Sequence, residues 1–198
     1  MWFSPPWDSV VYWALDLETG GLDPRRDPVI AVGMVPVRAG IVRLGEAYRT
    51  LVRPSALEVI TPDSMRAHQL VPGDVAGAPP LAEVLSEVER RLREGAMLVH
   101  HASLDVAFLK RAFKEAGRRW PKPTVVDTVN LLVKAEKRRR FVDPDAIEEP
   151  ELNLGDARRR HGLPEYQQHD ALSDAVATAE LFLVLRRRIE ARTLRDLR

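Results

Sequence analysis

The chain has 198 residues and a formal net charge of +1, so no bulk positive field marks it as a nucleic-acid binder, and any polyanion must be held at a local site. It has no cysteine, which excludes disulfides and thiolate metal sites and leaves oxygen and imidazole as metal ligands. No apolar run approaches the roughly 20 residues that span a bilayer, and the start lacks the features of a signal peptide; we therefore expect a cytoplasmic protein that does not engage a membrane.

The first third of the chain predicts β-structure. Residues 10–18 alternate in polarity, which places Val11, Trp13, Leu15 and Leu17 on one face of a strand. Residues 29–37 and 41–52 are also rich in β-forming residues and are joined at Ala39-Gly40, as in a hairpin. The three segments predict a meander.

The rest of the chain alternates helices with short strands. Short buried strands are predicted at residues 96–99 and 124–126, and helices at about 61–68, 80–93, 103–117, 128–140, 153–161 and 170–191. Ser103 is the predicted N-cap of the third helix. This order indicates one α/β domain with a mixed sheet over residues 1–198, with its core at about 10–190.

Two acidic residues end the first predicted strand. Asp16 and Glu18 are two positions apart, so their side chains share one face, opposite the apolar residues. They would form a metal-ligating pair if a cation is available. An isolated pair of this kind is more often only a solvated sheet edge.

Further acids and a histidine lie in the helical part. Asp174 falls within the apolar stripe of the last helix, where an inward-facing carboxylate needs compensating charge. Asp105 is in the first turn of a helix, where the alternative is simple complementation of the helix dipole. His169 precedes Asp174 by five positions. Asp170 lies at the start of the predicted helix and is interpreted as a helix cap or first-turn acid, not as a metal ligand.

Four carboxylates at one site would repel one another. At about 4 Å and an effective dielectric near 20, each pair costs roughly 4 kcal/mol. Divalent cations would remove that cost, and an all-oxygen ligand set favours Mg²⁺ or Mn²⁺.

Three segments carry a resemblance to a known family. LDLETGGLDP at 15–24, VHHASLDVAFL at 99–109 and HDALSDA at 169–175 resemble the motifs of the DEDDh 3′→5′ exonucleases, the family of the epsilon proofreading subunit of bacterial DNA polymerase III. The resemblance implies a ribonuclease H-like fold, an α/β architecture with a five-stranded mixed sheet flanked by helices.

The resemblance also implies the roles of the acids. Asp16 would bridge two metal ions, Glu18 and Asp174 would complete the tighter site, and Asp105 would hold the second ion, partly through water. His169 would be the general base. The implied reaction is two-metal-ion hydrolysis at DNA 3′ ends that releases nucleoside 5′-monophosphates, in proofreading or repair.

Substrate contacts follow from the same comparison. Thr19 and Gly20 look like the backbone rim that meets the terminal nucleotide, with Leu22 wedged against its base. His68 would lie near the 3′ end, the alternative being a surface histidine in a short helix. His101 stands where the family commonly has asparagine and would affect how sugar or phosphate is held.

Several alternatives stay open at this stage. The substrate is expected to be the 3′ end of single-stranded DNA, with a polymerase subunit as a candidate partner. An exoribonuclease of the same family would use identical chemistry, and a non-catalytic domain that binds nucleic acid or a polymerase is the rival from another class. The basic residues 134–140 either follow a nucleic-acid backbone or form a solvated helix face. The aromatic residues Trp2, Phe3 and Trp7 are expected to cover a sheet edge or an interface.

Overall fold

A mixed sheet forms the centre of the molecule, as predicted. A computed structural model describes residues 4–55, 60–143, 145 and 149–198. The strand order is β3-β2-β1-β5-β6, and β4 also pairs with β2. β2 is antiparallel to β1, β3 and β4, whereas β5 is parallel to β1 and β6. The strands are β1 (Tyr12–Thr19), β2 (Val29–Arg38), β3 (Ile41–Val42), β4 (Tyr48–Leu51), β5 (Ala96–Val99) and β6 (Val125–Asp127).

Helices cover both faces of the sheet. They are α1 (Pro62–His68), α2 (Pro72–Ala76), α3 (Leu81–Leu92), α4 (Ala102–Glu115), α5 (Thr128–Val142), α6 (Leu154–Arg160) and α7 (Ala171–Arg188). All six predicted helices are present, and the short α2 was not predicted. Within the described part of the chain, no helix has the length and apolar character needed to cross a membrane.

The third predicted strand is divided in two. A 3₁₀ turn at Leu44–Glu46 interrupts residues 41–52. The flanking strands both pair with β2, β3 with its last residues and β4 with its middle. The sheet therefore has six strands, where the sequence predicted five.

The central strand β1 is buried on both faces. Trp13, Leu15 and Leu17 pack into the core beneath α3 and α4, as the alternation predicted. Tyr12 and Ala14 face the other way and pack against α7. Because side chains alternate along a strand, Asp16 and Glu18 share the α7 side.

Gly33 allows α7 to begin directly on the sheet. It lies between Asp16 of β1 and Arg49 of β4 in the strand register. A Cβ atom at this position would lie 2.2 Å from the backbone of Ala171, the first residue of α7. Only glycine permits this approach, which brings the first turn of α7 to the acidic end of β1.

We expect Gly33→Ala to destabilise the protein by about 1–3 kcal/mol, because the added methyl group overpacks the β2–α7 contact. Gly45→Ala is the matched control, since a Cβ there has no neighbour within 4 Å. Chemical denaturation of the two variants measures the difference. Equal midpoints would contradict this account of the helix position.

The two ends of the described chain pair with each other. Pro6 bridges to Thr193, and the Leu194 N–H donates to the Pro5 carbonyl at 3.0 Å. Trp7 lies 4.0 Å from the Arg186 guanidinium, measured to its ring centroid, and contacts the hairpin at Gly40. Trp7 therefore packs on the core beside the turn between β2 and β3. The expectation was that Trp7 and the aromatic residues 2 and 3 cover a sheet edge or an interface, and residues 2 and 3 lie outside the described part.

Candidate active site

Three acids meet where β1 approaches the first turn of α7. One carboxylate oxygen from each of Asp16, Glu18 and Asp174 lies within 4.8 Å of the other two. Two of these acids come from one face of β1, and the third is brought in by the packing of α7 on Gly33. The grouping is the one predicted for the tighter metal site.

The fourth acid, Asp105, approaches from the other side. It lies in the first turn of α4 and is buried, with 7% of its surface exposed. After burial itself, its charge is the largest influence that raises the pKa of Asp16. The structure thus brings all four predicted acids to one place, with Asp105 beside the trio.

The site concentrates negative charge away from water. Burial raises the pKa of Asp105 to about 8, with Asp127 and Glu18 adding to the effect. Burial, Asp174 and Asp170 raise the pKa of Glu18 to about 7. The four carboxyl groups therefore resist ionisation together at neutral pH unless positive charge enters. An all-oxygen cluster of this kind suits Mg²⁺ or Mn²⁺.

His169 lies at the entrance to α7. Its backbone N–H donates to Asp174 Oδ2 at 2.8 Å, while its side chain is exposed. Its φ of 62° is left-handed, which turns the chain sharply before the helix. The ring is therefore left free of core packing, next to the acids.

Asp170 is a structural cap, as predicted. Its Oδ1 accepts from the Ser173 N–H at 3.0 Å, and its Oδ2 lies 2.5 Å from Arg49 Nη2. Arg49 reaches over Gly33 from the neighbouring strand, in the same register row as Asp16. This ion pair ties the start of α7 to the sheet edge.

Tyr166 is a site residue that the sequence did not predict. Its hydroxyl donates to Asp174 Oδ1 at 2.6 Å, so both oxygens of this carboxylate have partners within the protein. The Arg158 guanidinium stacks 4.8 Å from the tyrosine ring centroid and is itself 2% exposed. Tyr166 lies in an irregular loop, where no periodic pattern marks its direction.

We expect Tyr166→Phe to weaken divalent-cation affinity by roughly tenfold or more, because it removes the hydrogen bond that orients the Asp174 carboxylate within the acidic cluster. Tyr12→Phe is the matched control, since it also removes a hydroxyl bond, to the Trp7 carbonyl at 2.9 Å, away from the acids. Calorimetric titration with Mn²⁺ compares them. Identical affinities in the two variants would show that this hydroxyl does not orient Asp174.

His68 is buried and bonded inside the protein. Its Nδ1 accepts from the Leu70 N–H at 3.0 Å, which leaves Nε2 to donate to Ser64 Oγ at 2.6 Å. The Ser64 hydroxyl in turn donates to the Thr19 carbonyl. Burial lowers the pKa of His68, in keeping with a neutral ring. The alternative of a surface histidine is therefore wrong: His68 lies near His169 and supports the rim of the site.

The predicted substrate rim begins at Thr19, the last residue of β1, and continues into the loop that follows. Gly20 is held on both sides, since its N–H donates to Pro28 and its carbonyl accepts from Thr61. The Thr19 hydroxyl donates to the Gly21 carbonyl at 2.6 Å. Leu22 stands out from this loop with 80% of its surface exposed, although it is a large apolar residue.

The start of α4 differs from the prediction. The N-cap residue is His101, in a left-handed conformation, and Ser103 lies inside the helix. Asp127 supplies the cap from β6 instead, accepting from the N–H groups of His101 and Ala102. A side chain 25 residues away thus replaces the predicted local cap.

The two histidines before α4 hold a neighbouring loop. The Nε2 atoms of His100 and His101 both donate to the Leu152 carbonyl, at 2.8 and 3.0 Å. His100 Nδ1 lies 2.7 Å from Thr128 Oγ1, within hydrogen-bond distance, and burial lowers the pKa of His100 to about 4. His101 is exposed and is four residues from Asp105.

Known proteins share this architecture. The crystal structure of Escherichia coli exonuclease I in complex with a dT13 oligonucleotide matches 90% of this chain with a TM-score of 0.74, at 17% identity and over 41% of that chain. Despite the low identity, the likeness confirms the predicted ribonuclease H-like fold.

Sequence relatives point in the same direction. A DNA polymerase III subunit epsilon-like protein of Rhodobacter capsulatus is 35% identical over 96% of this chain and 25% of its own length. A PolC-type DNA polymerase III of Thermotoga petrophila is 28% identical over 91% of this chain and 12% of its own length. The chain thus spans a quarter or less of these curated relatives.

The family itself is established by a match over most of the chain. The model described as Exonuclease, RNase_T, covers residues 13–182. This range includes the three segments that resemble the DEDDh motifs. It also includes the four acids of the cluster and the candidate general base, which are Asp16, Glu18, Asp105, Asp174 and His169. The chain therefore belongs to the exonuclease family, and the predicted membership in its DEDDh group is confirmed.

Proposed function

We propose that this chain is a metal-dependent 3′→5′ exonuclease that hydrolyses phosphodiester bonds at DNA 3′ ends and releases nucleoside 5′-monophosphates. The observation that carries the proposal is the convergence of Asp16, Glu18 and Asp174 within 4.8 Å, with Asp105 beside them. Residues 1–198 would act as one exonuclease domain.

The acids are the candidate ligands for two divalent cations. Asp16 would serve both ions, Glu18 and Asp174 would complete one site, and Asp105 would contribute to the other, partly through water. When bound, the cations would activate the attacking water and stabilise the charge that develops on the phosphate and the leaving 3′ oxygen. The raised pKa values of Glu18 and Asp105 support this assignment, because burial and the neighbouring carboxylates disfavour their ionised forms and a bound cation would offset both effects.

His169 would take the proton from the attacking water. Its exposed ring lies at the cluster, and its backbone is tethered to Asp174 by a hydrogen bond. An imidazole can accept a proton near neutral pH, which suits a general base in hydrolysis. The exposed Leu22 would pack against the terminal base, beside the rim formed by Thr19 and Gly20. His68 would support that rim, and His101 would contact sugar or phosphate.

DNA is the substrate that the comparisons favour. The two curated relatives carry DNA polymerase III names, and the exonuclease I structure holds a thymidine oligonucleotide. A role in proofreading or repair, and association with a polymerase subunit, would be consistent with those names. RNA ends are the alternative substrate within the same chemistry.

The test uses matched single-stranded DNA and RNA labelled at the 5′ end, with Mg²⁺ or Mn²⁺. We expect a ladder of products that shortens from the 3′ end, release of nucleoside 5′-monophosphates, and loss of activity with EDTA. The ratio of the DNA and RNA rates decides between the two substrates. Intact substrates under every metal condition, with binding preserved, would contradict the enzyme proposal and favour a non-catalytic binding domain.

A further inference from the structure

The basic run of the sequence lies away from the candidate active site. It occupies the second half of α5, and Arg138 is about 15 Å along the helix axis from Thr128, which contacts the site-side His100. Its arginines are engaged with acids: Arg138 with Glu190 at 2.7 Å and Arg140 with Glu149 at 2.9 Å. This solvated helix face does not provide a cationic surface beside the acids.

A different cationic surface lies on the α4 side, next to the site. It is an open groove of about 530 Å³ whose rim carries Arg25, Arg26, Arg53 and Arg111, here called the arginine groove. Buried Phe108 lies in its floor. The four arginines come from three separate parts of the chain, so the linear sequence does not group them.

The arginine groove begins close to the acids. Arg25 and Arg26 belong to the same loop as Leu22, which follows directly from Glu18 and Thr19. On the opposite wall, Arg111 is about 9 Å along α4 from Asp105. A strand with its 3′ end at the acids would therefore meet the groove within its last few nucleotides.

The guanidinium groups of Arg25 and Arg26 are available to a ligand. Arg25 and Arg26 are 93% and 79% exposed at their side chains and approach Asp23 and Asp27 only to 3.8 Å. Those carboxylates are already engaged, because each accepts a backbone N–H within the loop, at 2.9 and 2.8 Å.

The remaining two arginines have different surroundings. Arg53 is exposed, and among residues 4–55, 60–143, 145 and 149–198 it has no ion pair. Arg111 is held by the Pro24 carbonyl and by Glu115, each at 3.0 Å, and so fixes the loop against α4. The groove therefore combines three exposed guanidinium groups with a fourth, Arg111, that is held in place by the protein.

We propose that the arginine groove binds the phosphodiester backbone of the strand just upstream of the nucleotide being removed. This inference rests on the proposed function. Arginine pairs well with phosphate oxygens through charge-assisted hydrogen bonds, and backbone contacts of this kind are independent of base sequence. The groove would hold a strand of any sequence while its 3′ end lies at the acids.

Binding tests the proposal directly. The triple variant Arg25→Glu, Arg26→Glu, Arg53→Glu is compared with Arg43→Glu, an exposed arginine near the far end of β2. Both are made in an Asp16→Asn background so that the strand stays intact. Fluorescence anisotropy measures affinity for a 5′-labelled oligothymidine dodecamer. We expect the triple variant to bind at least tenfold more weakly. The slope of log Kd against the logarithm of the salt concentration should also be smaller by about 2, as expected for the loss of three phosphate contacts to a single strand.

Activity provides a second readout that separates this inference from the proposed function. The p-nitrophenyl ester of thymidine 5′-monophosphate reaches only the acids, whereas the dodecamer also reaches the groove. We expect the ratio of kcat/KM for dodecamer over ester to fall at least tenfold in the triple variant with Asp16 intact, and to keep its wild-type value in Arg43→Glu. Equal dodecamer affinity and equal ratios in the two variants would overturn the groove assignment while leaving the exonuclease proposal standing. A wild-type protein that hydrolyses neither substrate would refute the exonuclease proposal, and the anisotropy comparison would still decide what the groove binds.

Discussion

Replacing His169 by asparagine is expected to lower kcat by about two to four orders of magnitude, the usual contribution of a general base. Divalent-cation affinity should stay near the wild-type value. The reason for the separation is geometric: the contact with Asp174 is made by the backbone N–H of His169, which every substitution but proline retains.

Asparagine is the appropriate substitute because His169 has a φ of 62°, and asparagine adopts this left-handed conformation more readily than most residues. Gln167→Ala, an exposed change in the same loop, controls for disturbance of the loop and should retain activity within a few-fold. Single-turnover kinetics and Mn²⁺ calorimetry measure the two properties. If His169→Asn lost cation affinity in proportion to activity, the residue would be part of the metal site and not the base.

The second large effect concerns stability without metal. The pKa values of Glu18 and Asp105 are raised in the folded protein to about 7 and about 8, so folding favours their protonated forms. Their contribution to stability is therefore fully present below about pH 4, near the ordinary carboxyl values, and is lost as the pH rises through 7 and 8. We expect the metal-free protein to melt at progressively lower temperature between about pH 5 and 8.5, and divalent cations to reverse the loss.

Asp105→Asn isolates this effect, because it removes the buried charge and keeps the shape. At about pH 8 we expect the metal-free variant to be more stable than wild type, with a Tm that is higher by several degrees or more, although its activity falls. Asp196→Asn is the control, and its effect on stability should have the opposite sign. Backbone N–H groups lower the pKa of Asp196, so replacing its carboxylate by a neutral amide should reduce stability. A melting temperature of wild-type protein that does not depend on pH or on Mn²⁺ would contradict the account.

Periodicity in the sequence predicts the parts of the site that lie on long regular elements. Alternation along β1 puts Asp16 and Glu18 on one face, and the stripe of α7 turns Asp174 inward; both are observed. The meeting of Asp105 with these residues depends on how α4 packs, which periodicity does not encode. That expectation came from the family resemblance alone.

The features that the sequence did not predict are made by contacts between distant segments. Tyr166 reaches Asp174 from an irregular loop, and Asp127 caps α4 across 25 positions of chain. Ser103 was the best local candidate for that cap, but a left-handed His101 starts the helix earlier. Helix and strand propensities depend only on neighbouring residues in the sequence. They therefore cannot predict a hydrogen-bond partner that a distant segment supplies.

The central claim is that the acids of β1, α4 and α7 form a divalent-cation site. Calorimetric titration of the metal-free protein with Mn²⁺ at about pH 7.5, between the raised pKa values of Glu18 and Asp105, tests it most directly. The account predicts two ions per wild-type chain, proton release on binding, and loss of both ions in Asp16→Asn. Absence of binding to the wild-type chain, or unchanged binding in Asp16→Asn, would contradict it.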